Sequence, residues 1–442
     1  MRGKGNKQRG QVLLMATLLS IPLFGMLGLV TDLGYMHYVK MTAQSAAEAA
    51  AQSAMVSFHK TNGGASYTCG ATVVCASSET ACPTNITTPA DPIQDGCLYA
   101  QAHGFSSTGS VTYQTGLNSA PPTASGIGSA PYWVVYRTYQ RVPQLFSAVL
   151  GNFSGLVVGR STAAVVGATD CIYALDPNMA GAISVGGTAA LTSSCGVLVD
   201  SNNACALSTN GSATITAPEY DVVGNVCTHA PLAPSANTGI APASDPLAGL
   251  PVPATPTYEC DFKNYDAKSG NITLQPGTYC GGISVENATV TFSAGTYILA
   301  GGGLSTQSAN SVISGTNVFF YNTFGQTDKG NQAYGAININ ANSTVSLTAP
   351  ATGAYAGILF FDDRSAPTGN PDNYGGGSTA VYQGVIYNPK NGVVMYGNSS
   401  TDTQYTMVVA DYVTLQGTTA FNNNYTSLPG GVSPLQQVAL VE

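Results

Sequence analysis

The chain has 442 residues, of which only 8% are charged, with 51 Gly, 24 Tyr and a formal net charge of -8. Arg2, Lys4, Lys7 and Arg9 hold four of its fourteen basic residues, leaving ten basic against twenty-two acidic side chains in the rest. That balance excludes a nucleic-acid partner, which needs a basic face, and the recurring Val, Ile, Leu and aromatic residues exclude a disordered spacer.

The first predicted element is a membrane helix. Val12 to Val30 contains no charged residue, and nineteen residues at 1.5 Å each give about 28 Å, the thickness of a bilayer core. Basic residues precede it and Asp32 follows, so the positive-inside rule keeps the tail cytoplasmic and exports the remainder. From Tyr35 to Asn62 there is neither Gly nor Pro, and Met36, Val39, Ala43, Ala46, Ala50, Ala54 and Phe58 fall at helical spacing. The helix is expected to run on as one rod, its small-residue face packed on the chain's own strands.

The run RGQVLLMATLLSIPLFGMLGLVTDLGYMHYVKMTAQSAAEAAAQSA resembles the N-terminal segment of TadG-like proteins of the tight-adherence (Flp) pilus-assembly system. Arg9-Gly10, the apolar run, Asp32, Gly34, Tyr35 and the Ala-rich helix with Glu48 carry the resemblance. It implies a single-pass bacterial inner-membrane protein with envelope or pilus-assembly partners. Prepilin-type sequences carry Glu at the fifth position after the processing Gly, whereas Met15 stands there after Gly10. The departure implies a retained anchor.

Residues 61–168 read as a small α+β domain: a cysteine-containing loop from Thr61 to Cys97, a short helix at Leu98–Phe105, and strands at Ser110–Thr115 and Tyr132–Gln140. A second short helix is expected at Val142–Gly151 and a further strand at Leu156–Gly167. Trp133, the only Trp, is expected in the core.

Residues 169–442 carry internal repeats. Ala182–Ser193 returns at Ala206–Ala217, a shift of 24, and Ile272–Val285 returns at Val290–Ser305, with Gly277 and Gly295 eighteen apart. Short strands at such periods predict a parallel β-helix. In the GTY motifs, Gly is expected to turn the corner and Tyr to stack on its counterpart one coil away. A Pro-rich stretch at about 235–260 reads as a loop separating coil groups or crossing one face. The fold class is therefore mainly β with an N-terminal α+β part: residues 1–60 as tail, membrane helix and extension, 61–168 as the α+β domain, 169–442 as the solenoid.

None of the ten cysteines forms a CxxC pair, and all lie beyond residue 60. Disulfides in an oxidising compartment are expected rather than a metal site. Cys69, Cys75, Cys82 and Cys97 pair among themselves in one of three ways; the local pairings Cys171–Cys195, Cys205–Cys227 and Cys260–Cys280 serve the solenoid.

No nucleophile elbow, dinucleotide fingerprint, P-loop or HExxH motif occurs. The best catalytic candidate is Asp362-Asp363-Arg364, after the strand GILFF, but strand neighbours face opposite sides. A solvated turn with Arg364 paired to Asp is the plainer expectation. Asp200, Asp221, Asp261, Asp372 and Asp411 are scattered, though coil stacking can gather some of them, and His229 reads as a loop residue. The expectation is an interaction surface for protein or glycan, with no catalytic residue, metal or cofactor. The alternatives are a membrane-tethered polysaccharide-degrading β-helix enzyme and an adhesin unrelated to pili.

Overall fold

The computed structural model describes residues 9–62, 67–122, 129–144, 153–254, 260–325, 333–375, 380–396, 400–403, 406–417, 420–423 and 435–441. For 9–14, 16–18, 20–25, 27, 400–403 and 420–423 it describes backbone alone. The chain divides into two compact units, residues 1–62, 67–166 and 438–442 forming one and 63–66 with 167–437 the other.

The first unit is built on one continuous helix, α1 (Arg9–Asn62). Its expected face is buried: Val39, Ala43, Ala46, Ala50, Ala54 and Phe58 lie inside, widened by Ala47, Ala51 and Met55. It packs on a second helix and on a sheet made by β1 (Thr80–Ala81), β2 (Val111–Ser119), β3 (Ala130–Pro143) and β4 (Ser154–Gly167), with Gln436–Leu440 beside β4. β1 to β4 pair antiparallel in sequence order. Val12–Val30 is helical, but most of its side chains lie outside the described residues. Among the described residues no helix is long and apolar enough to cross a membrane.

Two elements differ from the sequence reading. The second helix, α2, spans Pro92–Ala102 and so begins inside the expected loop. Asp91 caps it, accepting from the Gln94 N–H at 2.9 Å, and Pro92 fits a first turn that needs no donor. Val142 and Pro143, expected to open a helix, continue β3 instead, because antiparallel pairing to Gly155 and Ser154 overrides the local pattern. Residues 145–151 of that expected helix lie outside the described residues.

The second unit is a parallel β-helix. The 24-residue repeat is one coil, Ile183 pairing with Leu207 and Ala190 with Thr214. Ile272 likewise stacks on Val290, eighteen residues on. The GTY motifs do not keep that spacing: Gly277 pairs with Tyr297 rather than Gly295. At Gly295, φ is +143° and Pro276 of the neighbouring coil occupies the space a Cβ would fill, so only Gly fits. The tyrosines still meet, with Tyr279 and Tyr297 centroids 5.9 Å apart. The aromatic column continues through Phe320, Phe360 and Tyr374 at 5.1–5.4 Å, each pair adding about 0.5–1.5 kcal/mol beyond burial.

The coils do not stack in sequence order. The chain enters at Asp170–Ala174, between Thr406–Ala410 on one side and Gly196–Val199 on the other. It winds through Tyr220–Val222 to Asn237–Thr238 at one end. After the Pro-rich segment it restarts at the opposite end with Phe262–Ala267. It then winds back through Gly277–Val285, Gly295–Ala300, Val318–Thr323, Ile358–Asp362 and Val381–Asn388 to Thr406–Ala410. Entry and exit therefore lie side by side within the stack. The outermost strand, Phe262–Ala267, carries Lys263 and Asp266, and Lys268 bridges to Asp266 at 3.2 Å. Charges on an exposed edge discourage further strand pairing.

Candidate functional site

In the first unit the small residues of α1 allow close approach. A Cβ on Gly159 of β4 would lie 2.2 Å from the Ala43 carbonyl oxygen, and Thr138 Oγ1 of β3 donates to that same oxygen at 2.8 Å. Gln44 grips β4, its Nε2 donating to the Arg160 carbonyl at 2.8 Å and its Oε1 accepting from the Arg160 N–H at 3.1 Å. The same Nε2 reaches Glu48 Oε1 at 2.9 Å. Phe58 stacks on Tyr132 with centroids 4.0 Å apart, and the Tyr132 hydroxyl donates to the Val74 carbonyl at 2.7 Å. Tyr136 reaches from β3 to the Ile93 carbonyl of α2. The cysteines fasten this unit as Cys69–Cys75 and Cys82–Cys97, one of the three possible pairings. Trp133 is buried, as expected of a core residue, and its indole N–H donates to Ser119 Oγ at 3.0 Å.

Most of the helix at the base of this arrangement is similar to a known family. Residues 10–57 match the family model Tad, described as "Putative Flp pilus-assembly TadE/G-like". The chain carries a TadE/G-like domain there. The TadE/G-like segment is α1 from its second residue to the turn before its end, and Gln44, Glu48 and the alanine face all belong to it. No curated protein and no solved structure matches the chain.

In the solenoid, stacking gathers two of the scattered carboxylates, Asp362 and Asp372, both 0% exposed. Asp362 Oδ1 accepts from Asn322 Nδ2 at 2.6 Å and from the Tyr334 hydroxyl. Asp372 Oδ1 accepts from the Ile337 N–H at 2.8 Å, and the Tyr374 hydroxyl lies 3.3 Å from its Oδ2. Burial pushes both carboxyls upward, Asp372 farther because the Asp362 charge also opposes its ionisation. Glycoside hydrolysis needs carboxyls flanking a bound sugar, and no solvent reaches these two.

The neighbours of Asp362 are not a simple solvated turn. Asp363 caps the turn, its Oδ1 accepting from the Ser365 N–H at 2.8 Å and hydroxyl at 2.6 Å, its Oδ2 from Thr323 at 2.6 Å and Tyr321 at 2.9 Å. Burial works to raise this carboxyl, but those donors outweigh it and leave it below its ordinary value. Among the described residues Arg364 pairs with no Asp. Its guanidinium stacks over Phe361 at 5.0 Å and donates to the Tyr387 hydroxyl at 2.8 Å and to the Leu247 carbonyl. Tyr387 in turn donates to Asp245 Oδ2 at 2.6 Å. Asp245 and Leu247 belong to the Pro-rich segment, which thus crosses one face of the solenoid, with Leu247 and Leu250 buried.

The remaining candidates stay apart. Asp200 accepts from the Ala243 N–H at 2.7 Å, joining the Pro-rich segment to a coil, and Asp261, just before the strand Phe262–Ala267, accepts from the Thr278 N–H of the next coil at 2.8 Å. Asp221 accepts from Asn237 Nδ2 at 2.9 Å. Burial raises the Asp411 carboxyl, which lies on a different coil. His229 is exposed, and its backbone N–H donates to Thr209 Oγ1 at 2.8 Å. Cys171–Cys195 and Cys205–Cys227 join coils toward one end of the stack, and Cys260–Cys280 does so at the other. Sequence reading missed Asp170, which is 4% exposed with Oδ1 unpartnered against Gly196. Burial, then the charges of Asp221 and Glu219, push its carboxyl up to about 7. An acid directly before the buried run CIYA was the available signal.

Proposed function

We propose that this protein is a single-pass inner-membrane protein with a cytoplasmic N-terminus that helps assemble or display a tight-adherence (Flp) pilus. Its solenoid offers a weakly charged interaction surface for an envelope protein or a glycan. The observation that carries this reading is the TadE/G-like match over residues 10–57, which coincides with one continuous helix. Export agrees with the position of every cysteine beyond residue 60 and with five disulfides. Deleting the gene should abolish or strongly reduce surface pili, and the full chain should restore them. Unchanged piliation in the deletion strain rejects the pilus role.

The solenoid in this reading binds and does not catalyse. The sealed Asp362–Asp372 pair supports that view, since paired-carboxyl chemistry needs access for the polymer and a water. The full chain in detergent should release no reducing ends or unsaturated products from pectic, uronic or neutral polysaccharides, with or without Ca²⁺. Reproducible release, lost in Asp362→Ala or Asp363→Ala, establishes the tethered enzyme instead.

A further inference from the structure

The β3–β4 hairpin carries apolar side chains toward the end of α1 that adjoins the apolar run. The Thr138–Gly159 pair lies on Ala43. From there both strands extend five residues to the Pro143–Ser154 pair, a distance of about 16 Å. Along α1 this leads toward the N-terminus, since Gln144 Nε2 meets Met36 Sδ at 2.9 Å and a Cβ on Gly155 would lie 2.7 Å from Met36 Cε. Met36 is about 9 Å of helix beyond Val30. The hairpin therefore ends beside the turns that follow the proposed membrane span.

Both elements expose apolar groups there. On the hairpin, Phe153 is 73% exposed, with Leu156 and Val158 beside it; on α1, Leu33 is 56% exposed and Tyr35 and Tyr38 are also open. Such a cluster is uncommon on a face meant for water. Exposed bases lie close by, Arg141 opposite Leu156 in the ladder and His37 and Lys40 on α1, while Glu79 accepts from the hydroxyl of Tyr139, the ladder partner of Val158, at 2.6 Å. Asp32 is buried. Phe153 lies farthest out, and behind it the Leu156–Arg141 pair sets an apolar side chain beside a base, as at the boundary between acyl chains and phosphates.

We infer that the end of β3 and β4 marked by Phe153 is a second membrane contact, Phe153 entering the outer leaflet of the bilayer that α1 spans and Leu156 lying at its boundary. Tyr35 and Tyr38 lie at the headgroups, and Lys40 and Arg141 face anionic lipid phosphates. The inference rests on the anchor reading of Val12–Val30 and adds a contact that fixes the first unit against the bilayer surface.

Trp133 is buried and the only Trp, so an added Trp reports its own surroundings over a constant background. The full chain carrying Phe153→Trp or Leu19→Trp is reconstituted in phosphatidylcholine–phosphatidylglycerol vesicles, with plain or acyl-brominated phosphatidylcholine. Brominated lipid should remove at least half of the added fluorescence in both variants and leave the unsubstituted chain nearly unchanged. Quenching of Leu19→Trp without Phe153→Trp overturns the hairpin contact and leaves the anchor standing. A blue-shifted but unquenched Phe153→Trp emission means that protein covers the tip, and overturns it equally. Absence of quenching in both variants removes the anchor reading and this inference with it.

Discussion

Replacing Asp170 by Asn should stabilise the solenoid at neutral and alkaline pH. Asp170 opens the first strand of the coil stack, is 4% exposed, and presses Oδ1 on Gly196 without a partner. Its carboxyl is raised to about 7 from an ordinary 3.8, first by burial and then by Asp221 and Glu219. Between those values the unfolded chain has lost the proton that the folded chain keeps, so stability falls as pH rises. No penalty exists below about pH 4, and it is complete above about pH 7. The gap between 3.8 and about 7 corresponds to about 4 kcal/mol. Asn keeps the shape and cannot ionise. Urea unfolding of wild type and Asp170→Asn from pH 4 to 8.5 should give near-equal stability at pH 4 and an advantage of about 2–4 kcal/mol for the variant at pH 8. Asp362 and Asp372 also disfavour high pH, but they are common to both proteins and cancel in the difference. A constant difference across the range, or a variant less stable at pH 8, refutes the assignment of a buried unpaired carboxyl.

Gly159→Leu should force β4 off α1, because the Ala43 carbonyl occupies the Cβ position. A loss of about 2–3 kcal/mol in the first unit is expected, read by thermal unfolding; a loss below about 0.5 kcal/mol contradicts the contact. Arg364→Ala removes the donor to Tyr387 and Leu247. It should therefore speed proteolysis within the Pro-rich segment severalfold, while leaving the pairing of the cysteines unchanged. Mass mapping under non-reducing conditions should recover Cys69–Cys75, Cys82–Cys97, Cys171–Cys195, Cys205–Cys227 and Cys260–Cys280; free thiols in the exported chain speak against both pairing and export.

The parts of this fold that repeat locally were legible in sequence, and the parts set by long-range stacking were not. The alanine face of α1 was visible because helical spacing alone decides which residues share a face. The 24-residue repeat was visible because one coil lies directly on the next, Ile183 on Leu207. The circular order of the coils left no such trace: Thr406–Ala410 stacks on Asp170–Ala174 through matched apolar faces, not through shared words of sequence. The GTY spacing misled for a related reason, since a corner absorbed two residues while the tyrosines stayed in contact. Around Asp362, strand alternation correctly separated it from Asp363, but its true partner, Asp372, lies beyond a turn whose path periodicity does not encode. Charge is what sequence displays at Arg364; of its actual partners Phe361 is on the strand that leads into it, but Tyr387 comes from the next coil and the Leu247 carbonyl from the crossing segment.

In the proposed topology the TadE/G-like helix holds the chain in the membrane and everything after it is exported. Alkaline phosphatase fused after Asn62, combined with carbonate extraction of the membranes, tests it directly. An active phosphatase is expected, with a full-length chain that stays in the extracted membrane pellet. An inactive phosphatase, or a soluble mature chain beginning near residue 31 or later, contradicts it.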